Sequence, residues 1–559
     1  MEEAIRKATE TALTELGAQG VSFAVEWPAD LSHGDYAVNA AMAGAKQLGK
    51  NPRELADALA PIIARELGDS ASGVEVAGPG FINIRLSTQS VSKTLEATTG
   101  SEWGEGRANL EKRVMVEYGN PNPFKEMHIG HMMGAIVGEA TARIIGASGA
   151  HILRDTFGGD VGPHVAKALW ALKRKGVEDI TSASEIGDAY TEGSSEYEES
   201  EVSKQEIDNL NTKIYEVVGM QGTPELLSED DRALLALWRK GREVSMAENI
   251  RIFSILGTHH DYIFYDSDTT EGGTRLVMDG LAKGIFERSE GAIIYRGEKK
   301  DLHTLVFITS RGAPLYPTKD IGLALLKAER VETDENIIVT AVEQIGHFKV
   351  TFAALEELAP ALAQKTRHIA HGLLQLTTGK MSSRKGNVIT ADELILEMIV
   401  KAGERNNDPV IAQQVAVGAL KYMVLRQAPG GDIIFDPEKS LSLDGDSGPY
   451  LQYALVRARS ILAASTVSAA APNFESEPPV LARLIARFPE VVARAESLRA
   501  PHAVTQYLTQ LASEWNSYYA GGKIIGSEDE ADKIALVRAF VATMENGLGL
   551  LGIPAPEKM

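Results

Sequence analysis

The stretch VMVEYGNPNPFKEMHIGH, residues 114–131, decides how this chain is read. Its first six residues, VMVEYG (114–119), are a short apolar run closed by glycine, the pattern of a buried strand. A loop rich in Pro and Asn follows, and a long apolar helix is expected to begin near His128. His128 and His131 then share one face of the first helical turn. Backbone N–H groups there lack intrahelical acceptors and favour an anion. Gly130 removes a side chain where a phosphate or a flat ring approaches the backbone. Two surface histidines or a metal-binding pair would show the same spacing, so the segment alone leaves those alternatives open.

Working outward, the same texture returns. HILRD (151–155) reads as a second strand, and IIVTAVEQ (337–344) as a buried strand followed by a helix from His347. Strands alternating with helices predict an α/β unit with a parallel sheet. Residues 1–108 read instead as a separate α+β unit, with Ile5, Ala8, Leu13 and Leu16 at helical spacing. In that unit Asn51-Pro52 opens a further helix, and AGPGFINIRL (77–86) turns into a strand. The interval 178–245 breaks the alternation, and its acidic run EGSSEYEESE (192–201) reads as a solvated loop or the tip of an insertion. Beyond about residue 405 strand signals vanish and Ala/Leu-rich helices are expected, with STVSAAAPNFESEPP (465–479) as a loop between them. GLGLLG (547–552) matches a dinucleotide fingerprint formally, but no strand precedes it and no helix follows, so it reads as a helix end.

Composition narrows the function classes. The chain has 559 residues, 56 Lys plus Arg against 77 Asp plus Glu, and a net charge of −21. At about 150 residues per domain this suggests three to four domains. The negative charge argues against a protein that coats DNA, though not against a local basic groove. Cys is absent, which removes disulfides, thiol nucleophiles and thiolate zinc sites together. The opening MEEAIRKATE lacks the apolar core of a signal peptide, and no uncharged apolar run approaches membrane-spanning length. A soluble cytoplasmic protein with no membrane and no DNA partner is the expectation.

A second element sharpens the first. GKMSSRKG (379–386) follows the strand-like HIAHGLLQL (368–376) and packs Lys380, Arg384 and Lys385 with Ser382 and Ser383 between glycines. A basic loop of this kind suits transient neutralisation of a triphosphate. An exposed basic turn would be the better reading were the histidine element not upstream.

HIGH (128–131) with KMSSR (380–384) resembles the paired signatures of class I aminoacyl-tRNA synthetases, and the flanks resemble the arginyl-tRNA synthetase family in particular. VEYGNPNPFKEMHIGH (116–131), GAPLYPTKD (312–320), EQIGHF (343–348) and SGPYLQYALVRARSIL (447–462) resemble family segments in the expected order. HGDYAVNAAM (33–42) and AGPGFINIRL (77–86) are similar to its N-terminal additional domain, and LGLLGIPAPEKM (548–559) to its ending. The second lysine of the general KMSKS pattern is Ser383 here, with the charge carried by Arg384 and Lys385, and Lys125 stands where the family has a lysine ahead of the histidines.

The resemblance implies a Rossmann-type catalytic domain over 109–386, an N-terminal additional domain over 1–108, a connecting segment over 387–440, and a helical anticodon-binding domain over 441–559. It implies an arginine–tRNA ligase using ATP with Mg²⁺, without a structural metal, working as a monomer on arginine and tRNA-Arg. It also implies that bound tRNA is needed for the activation step. His128, Gly130, His131, Lys125, Lys380, Met381, Ser382, Ser383, Arg384 and Lys385 would serve the ATP phosphates. Glu117, Asn122, Tyr316, Asp320 and Gln344 would hold arginine, whose planar five-donor guanidinium wants a carboxylate and a flat partner. For Asp320 the residues alone favour an acid near a helix N-terminus beside Lys319. For tRNA the C-terminal helices offer Tyr450, Arg457, Arg459, Trp515 and Tyr518, with Arg483, Arg487, Arg494, Arg499 and Tyr519 nearby. Each aromatic there could equally be helix core. A non-catalytic tRNA-binding relative is disfavoured by the intact His128, His131, Lys380 and Asp320, and another class I synthetase by the absent Cys and the Tyr316/Asp320 pair.

Overall fold

The structure is a computed structural model that describes residues 1–100, 102–376, 390–467, 472–474 and 476–559. The basic loop, with Lys380, Met381, Ser382, Ser383, Arg384 and Lys385, lies outside the described residues.

Five parallel strands form the central sheet in the spatial order Thr366–His371, Glu335–Ala341, Arg113–Glu117, His151–Gly158, Tyr262–Tyr265. In chain order that is 5-4-1-2-3, so the winding reverses between Arg113–Glu117 and Glu335–Ala341. In such a sheet ligands bind outside the carboxyl ends of the strands at the reversal. The helix Ile129–Gly146 crosses there. It is apolar nearly all round because it is buried nearly all round, between the sheet and the C-terminal helices.

The N-terminal unit is a four-stranded antiparallel sheet in the order Val25–Glu26, Tyr36–Val38, Phe81–Leu86, Ala71–Ala77. Its helix Pro52–Leu67 starts as the sequence suggests: Asn51 Oδ1 accepts from Arg53 N at 2.9 Å, Pro52 needs no acceptor, and Leu55, Leu59, Ile63 and Leu67 face inward. At the other end of the chain, Gly448–Ala464, Val480–Ala486, Phe488–Ser497, Pro501–Ala520 and Glu530–Leu550 build a helical domain. One strand breaks the expected all-helical run: Ile433–Phe435 pairs in parallel with Leu374–Leu376. Three residues are too few to show alternation in a sequence.

The acidic interval corrects the sequence reading more strongly. EGSSEYEESE is not a loop, though it does form the tip of the inserted segment. It lies in the helices Ala183–Glu199 and Glu201–Gly219, which meet at Ser200. Ser182 and Ser200 cap the two helices by accepting from Glu185 N and Ser203 N. At Gly193 a Cβ would lie 2.1 Å from the Lys167 carbonyl oxygen, so only glycine lets this helix close on Pro163–Arg174. Lys167 in turn sits over the Tyr197 ring at 4.4 Å. The acidic residues occupy the outer face of a hairpin whose inner face, with Ile186, Ala189, Ile207 and Ile214, is core.

Candidate active site

The site begins where the central strand ends. Glu117 is its last residue, and the chain leaves through a loop that Asn120 pins by accepting from Phe157 N at 3.0 Å and donating to Glu117 Oε1 at 2.8 Å. His128 caps the next helix, its Nδ1 accepting from Gly130 N at 3.1 Å. That bond leaves Nε2 as the protonated nitrogen. A Cβ on Gly130 would lie 2.9 Å from the His128 ring, so glycine lets the imidazole fold back over the helix end. The His131 ring stacks on it, centroids 3.6 Å apart.

Burial and the nearby Lys125 ammonium push the His128 imidazole down to about 4. His131 is held well below the usual histidine range by burial and by His128, Lys125 and His371. Both rings are therefore neutral near pH 7. His131 Nδ1 is buried without a hydrogen-bond partner among the described residues. A buried polar atom left in that condition at a helix N-terminus suits a ligand.

At the end of the same strand a cavity is lined by Glu117, Asp320, Lys327 and Phe348. Asp320 is one turn into the helix Tyr316–Arg330 and its Oδ2 meets His347 Nε2 at 2.5 Å. Burial raises the Asp320 carboxyl above its ordinary range, and the His347 contact opposes that. Tyr316, at the start of the same helix, is 64% exposed. Asn122 is half-buried and faces Gly159, and Gln344 is exposed in the turn before the helix Ile345–Leu358. The structure thus brings Glu117 and Asp320 to one cavity and leaves Asn122, Tyr316 and Gln344 outside its lining.

Glu117 does not stand alone. Its Oε2 lies 2.6 Å from Lys327 Nζ, which also lies 2.6 Å from Asp155 Oδ2, and all three side chains are buried. Burial, with Glu117 beside it, lifts the Asp155 carboxyl to about 7, against the pull of Lys327. Lys327, Asp155 and His347 were not singled out from the sequence. No local pattern marks them, since Lys327 reaches Glu117 across 210 positions.

The candidate tRNA contacts divide. Trp515 is fully buried and stacks on Phe540 at 4.7 Å, so the expectation that it faces RNA is corrected: it is helix core. Arg459 binds Glu545 and the carbonyls of Ala555 and Pro556, which ties down the chain end. Arg483 and Arg487 are buried against the N-terminal domain, through the Asp35 carboxylate and the Leu31 and Asp35 carbonyls. Arg494 covers Trp27, and Arg499 pairs with Glu335. Arg457 is different, lying 5.5 Å from the Tyr453 ring and 4.4 Å from the Tyr519 ring at the surface. Tyr450 accepts from Asn516 at 3.0 Å, and burial raises the Tyr518 hydroxyl to about 12.

Among the described residues no group of three or more His, Asp or Glu side chains could hold a metal, and no helix is long and apolar enough to cross a membrane.

Comparison with known proteins places this geometry. The family model for the catalytic domain of class I (R) tRNA synthetases matches residues 96–436. Those for the DALR anticodon binding domain and the arginyl tRNA synthetase N-terminal domain match residues 451–559 and 1–86. The chain is 33% identical over 543 residues to the arginine–tRNA ligase of Bdellovibrio bacteriovorus, covering 92% of this chain and 90% of that one. It is 30% identical to the arginine–tRNA ligase of Alteromonas mediterranea, covering 98% of each. Among solved structures it superposes on Thermus thermophilus arginyl-tRNA synthetase with a TM-score of 0.82 and 26% identity, covering the whole of both chains. The reversal-point histidine helix, the three domains in order and these relatives agree: the chain belongs to the arginyl-tRNA synthetase family of class I.

Proposed function

We propose that the chain is an arginine–tRNA ligase, a monomer working in the cytoplasm. An arginine carboxylate oxygen attacks the α-phosphorus of ATP, the bond to the bridging oxygen breaks, and pyrophosphate leaves. A ribose hydroxyl of the terminal adenosine of tRNA-Arg then attacks the adenylate carbonyl carbon, loses its proton, and AMP departs. The observation that carries this reading is the stacked neutral pair His128/His131 at an open helix N-terminus, on the helix that follows the strand whose last residue, Glu117, lines a cavity with Asp320.

Little covalent chemistry falls to the protein, so its work is positioning and charge stabilisation. The neutral His128 offers its Nε2–H to phosphate oxygens, and Lys125 adds charge beside it. Mg²⁺ accompanies ATP and supplies further neutralisation of the phosphates. Asp320 accepts from the arginine guanidinium, and the exposed ring of Tyr316 is its flat partner. Arg457 between Tyr453 and Tyr519 is the surface best suited to an unstacked RNA base.

The deciding experiment offers each of the twenty amino acids to the protein with ATP and total tRNA. Arginine alone should be attached. Attachment of another amino acid, or of none, would overturn the assignment.

A further inference from the structure

The two helices of the acidic hairpin each place a tyrosine under a lysine of the catalytic domain. Tyr190, on Ala183–Glu199, lies beneath Lys125, whose Nζ is 5.6 Å from the ring centroid. Tyr215, on Glu201–Gly219, lies 5.5 Å from Lys319 Nζ, an ammonium that is paired with Asp266 Oδ2 at 2.6 Å and is also 5.6 Å from the Tyr316 ring. Both distances are within the range of a cation–π contact. The two lysines border the two halves of the site: Lys125 stands next to the stacked histidines, and Lys319 and Tyr316 share a helix with Asp320.

Both rings rest on one rigid base. Tyr190 and Tyr215 pack against the same cluster, built on Val165, Leu169, Ile186, Ile207 and Ile214. Among the described residues Lys125 forms no ion pair. An aromatic face is a fitting support for such a lysine. It restrains a long flexible side chain without cancelling its charge or using up its N–H donors, as a carboxylate would.

We propose that the acidic hairpin is a positioning element for both substrates: Tyr190 holds Lys125 against the ATP phosphates, and Tyr215, together with Asp266, fixes Lys319 under Tyr316 and so sets that ring against the arginine side chain. The inference rests on the arginine and ATP reading above. It goes beyond packing because it assigns each helix of the hairpin to a different substrate.

The test is steady-state aminoacylation of tRNA-Arg with ATP and arginine varied separately. The unmodified enzyme comes first, since failure to charge arginine removes the underlying reading rather than the inference. Position 190, and separately position 215, then receives phenylalanine and a series of increasingly fluorinated phenylalanines, which keep the ring's shape and fold while draining its π face. At 190 the KM for ATP should climb with fluorination, roughly three- to tenfold overall, with the KM for arginine unchanged. At 215 the pattern should invert. Tyr190→Leu combined with Lys125→Met should be no worse than Lys125→Met alone, because the tyrosine acts only through the lysine. A flat KM for ATP across the series at 190, equal rises in both constants, or additive losses in the double variant would overturn the proposal.

Discussion

Asp320 and Lys319 are neighbours in sequence but face different partners. Asp320 Oδ2 meets His347 Nε2 at 2.5 Å, whereas Lys319 Nζ lies 2.6 Å from Asp266 Oδ2. Successive residues of a helix diverge by about 100°, so the two side chains leave the helix in different directions. The consequence is chemical. A carboxylate committed to a lysine would already be neutralised; here Asp266 takes the lysine, and Asp320 is left without a lysine counter-ion where a guanidinium would bind.

Asp320→Asn should therefore raise the KM for arginine about 10- to 100-fold, the size of a lost hydrogen bond to a charged group, while the KM for ATP stays put. Initial-rate aminoacylation with each substrate varied measures both. Because burial lifts the Asp320 carboxyl, the KM for arginine should worsen on acidification at a higher pH than an ordinary carboxylate would give.

His128→Ala and His131→Ala should each slow arginine activation by about 10²–10³, as expected for one preorganised stabiliser of transition-state charge. Pre-steady-state adenylate formation reads this directly, and circular dichroism of the variants should stay native. A double variant within about threefold of the parent rate would make the histidines structural.

Burial pushes the imidazoles of His128, His164, His260 and His368 down to about 4. Unfolded histidine binds its proton near pH 6.5, so between about 6.5 and 4 the unfolded chain holds more protons than the folded one. Stability conferred by the neutral rings is complete above about pH 6.5 and is lost as pH falls through that window. Scanning calorimetry should show Tm falling from pH 6.5 to 4. His164→Asn should flatten the slope.

Asp35 and Arg483 join the N-terminal and C-terminal domains through a buried pair 2.7 Å apart. Removing one partner strands a charge, so Asp35→Ala should cost about 3–5 kcal/mol. Asp35→Ala with Arg483→Met should cost less than the sum of the two singles. Urea denaturation of the three variants gives the comparison.

Activation should depend on tRNA. The helix that starts at His128 is tied to the C-terminal domain, since Arg143 donates to the Gly549 carbonyl at 3.1 Å. The nearby Gly552 carbonyl accepts from Lys421 at 2.5 Å. A tRNA seated on that domain can thus bias the helix bearing both histidines. Arginine-dependent ATP–pyrophosphate exchange should be absent without tRNA and appear with tRNA-Arg whose terminal ribose has been oxidised. Robust exchange without tRNA would sink the coupling.

Much of the site was legible in the sequence because its signals are local. The apolar run 114–119, the Asn/Pro loop and the His-Ile-Gly-His cap lie within one strand–turn–helix unit, where spacing alone sets which groups share a face. The winding order that puts this unit at the sheet's reversal point was not local, and neither were the partners it brings together. Lys327 reaches Glu117 and Arg483 reaches Asp35 across 210 and 448 positions, pairings that exist only once the sheet and the domains have packed. Composition misled at 192–201 for the same reason: the acidic residues describe the outer face of a hairpin, and its helices exist because the inner face packs on Pro163–Arg174. Trp515 could have been platform or core on its residue type, and its stacking on Phe540 decided the matter. Local chemistry wrote the helix caps and the stacked histidines into the chain, while burial across long sequence separations decided which charges are spent on holding the fold.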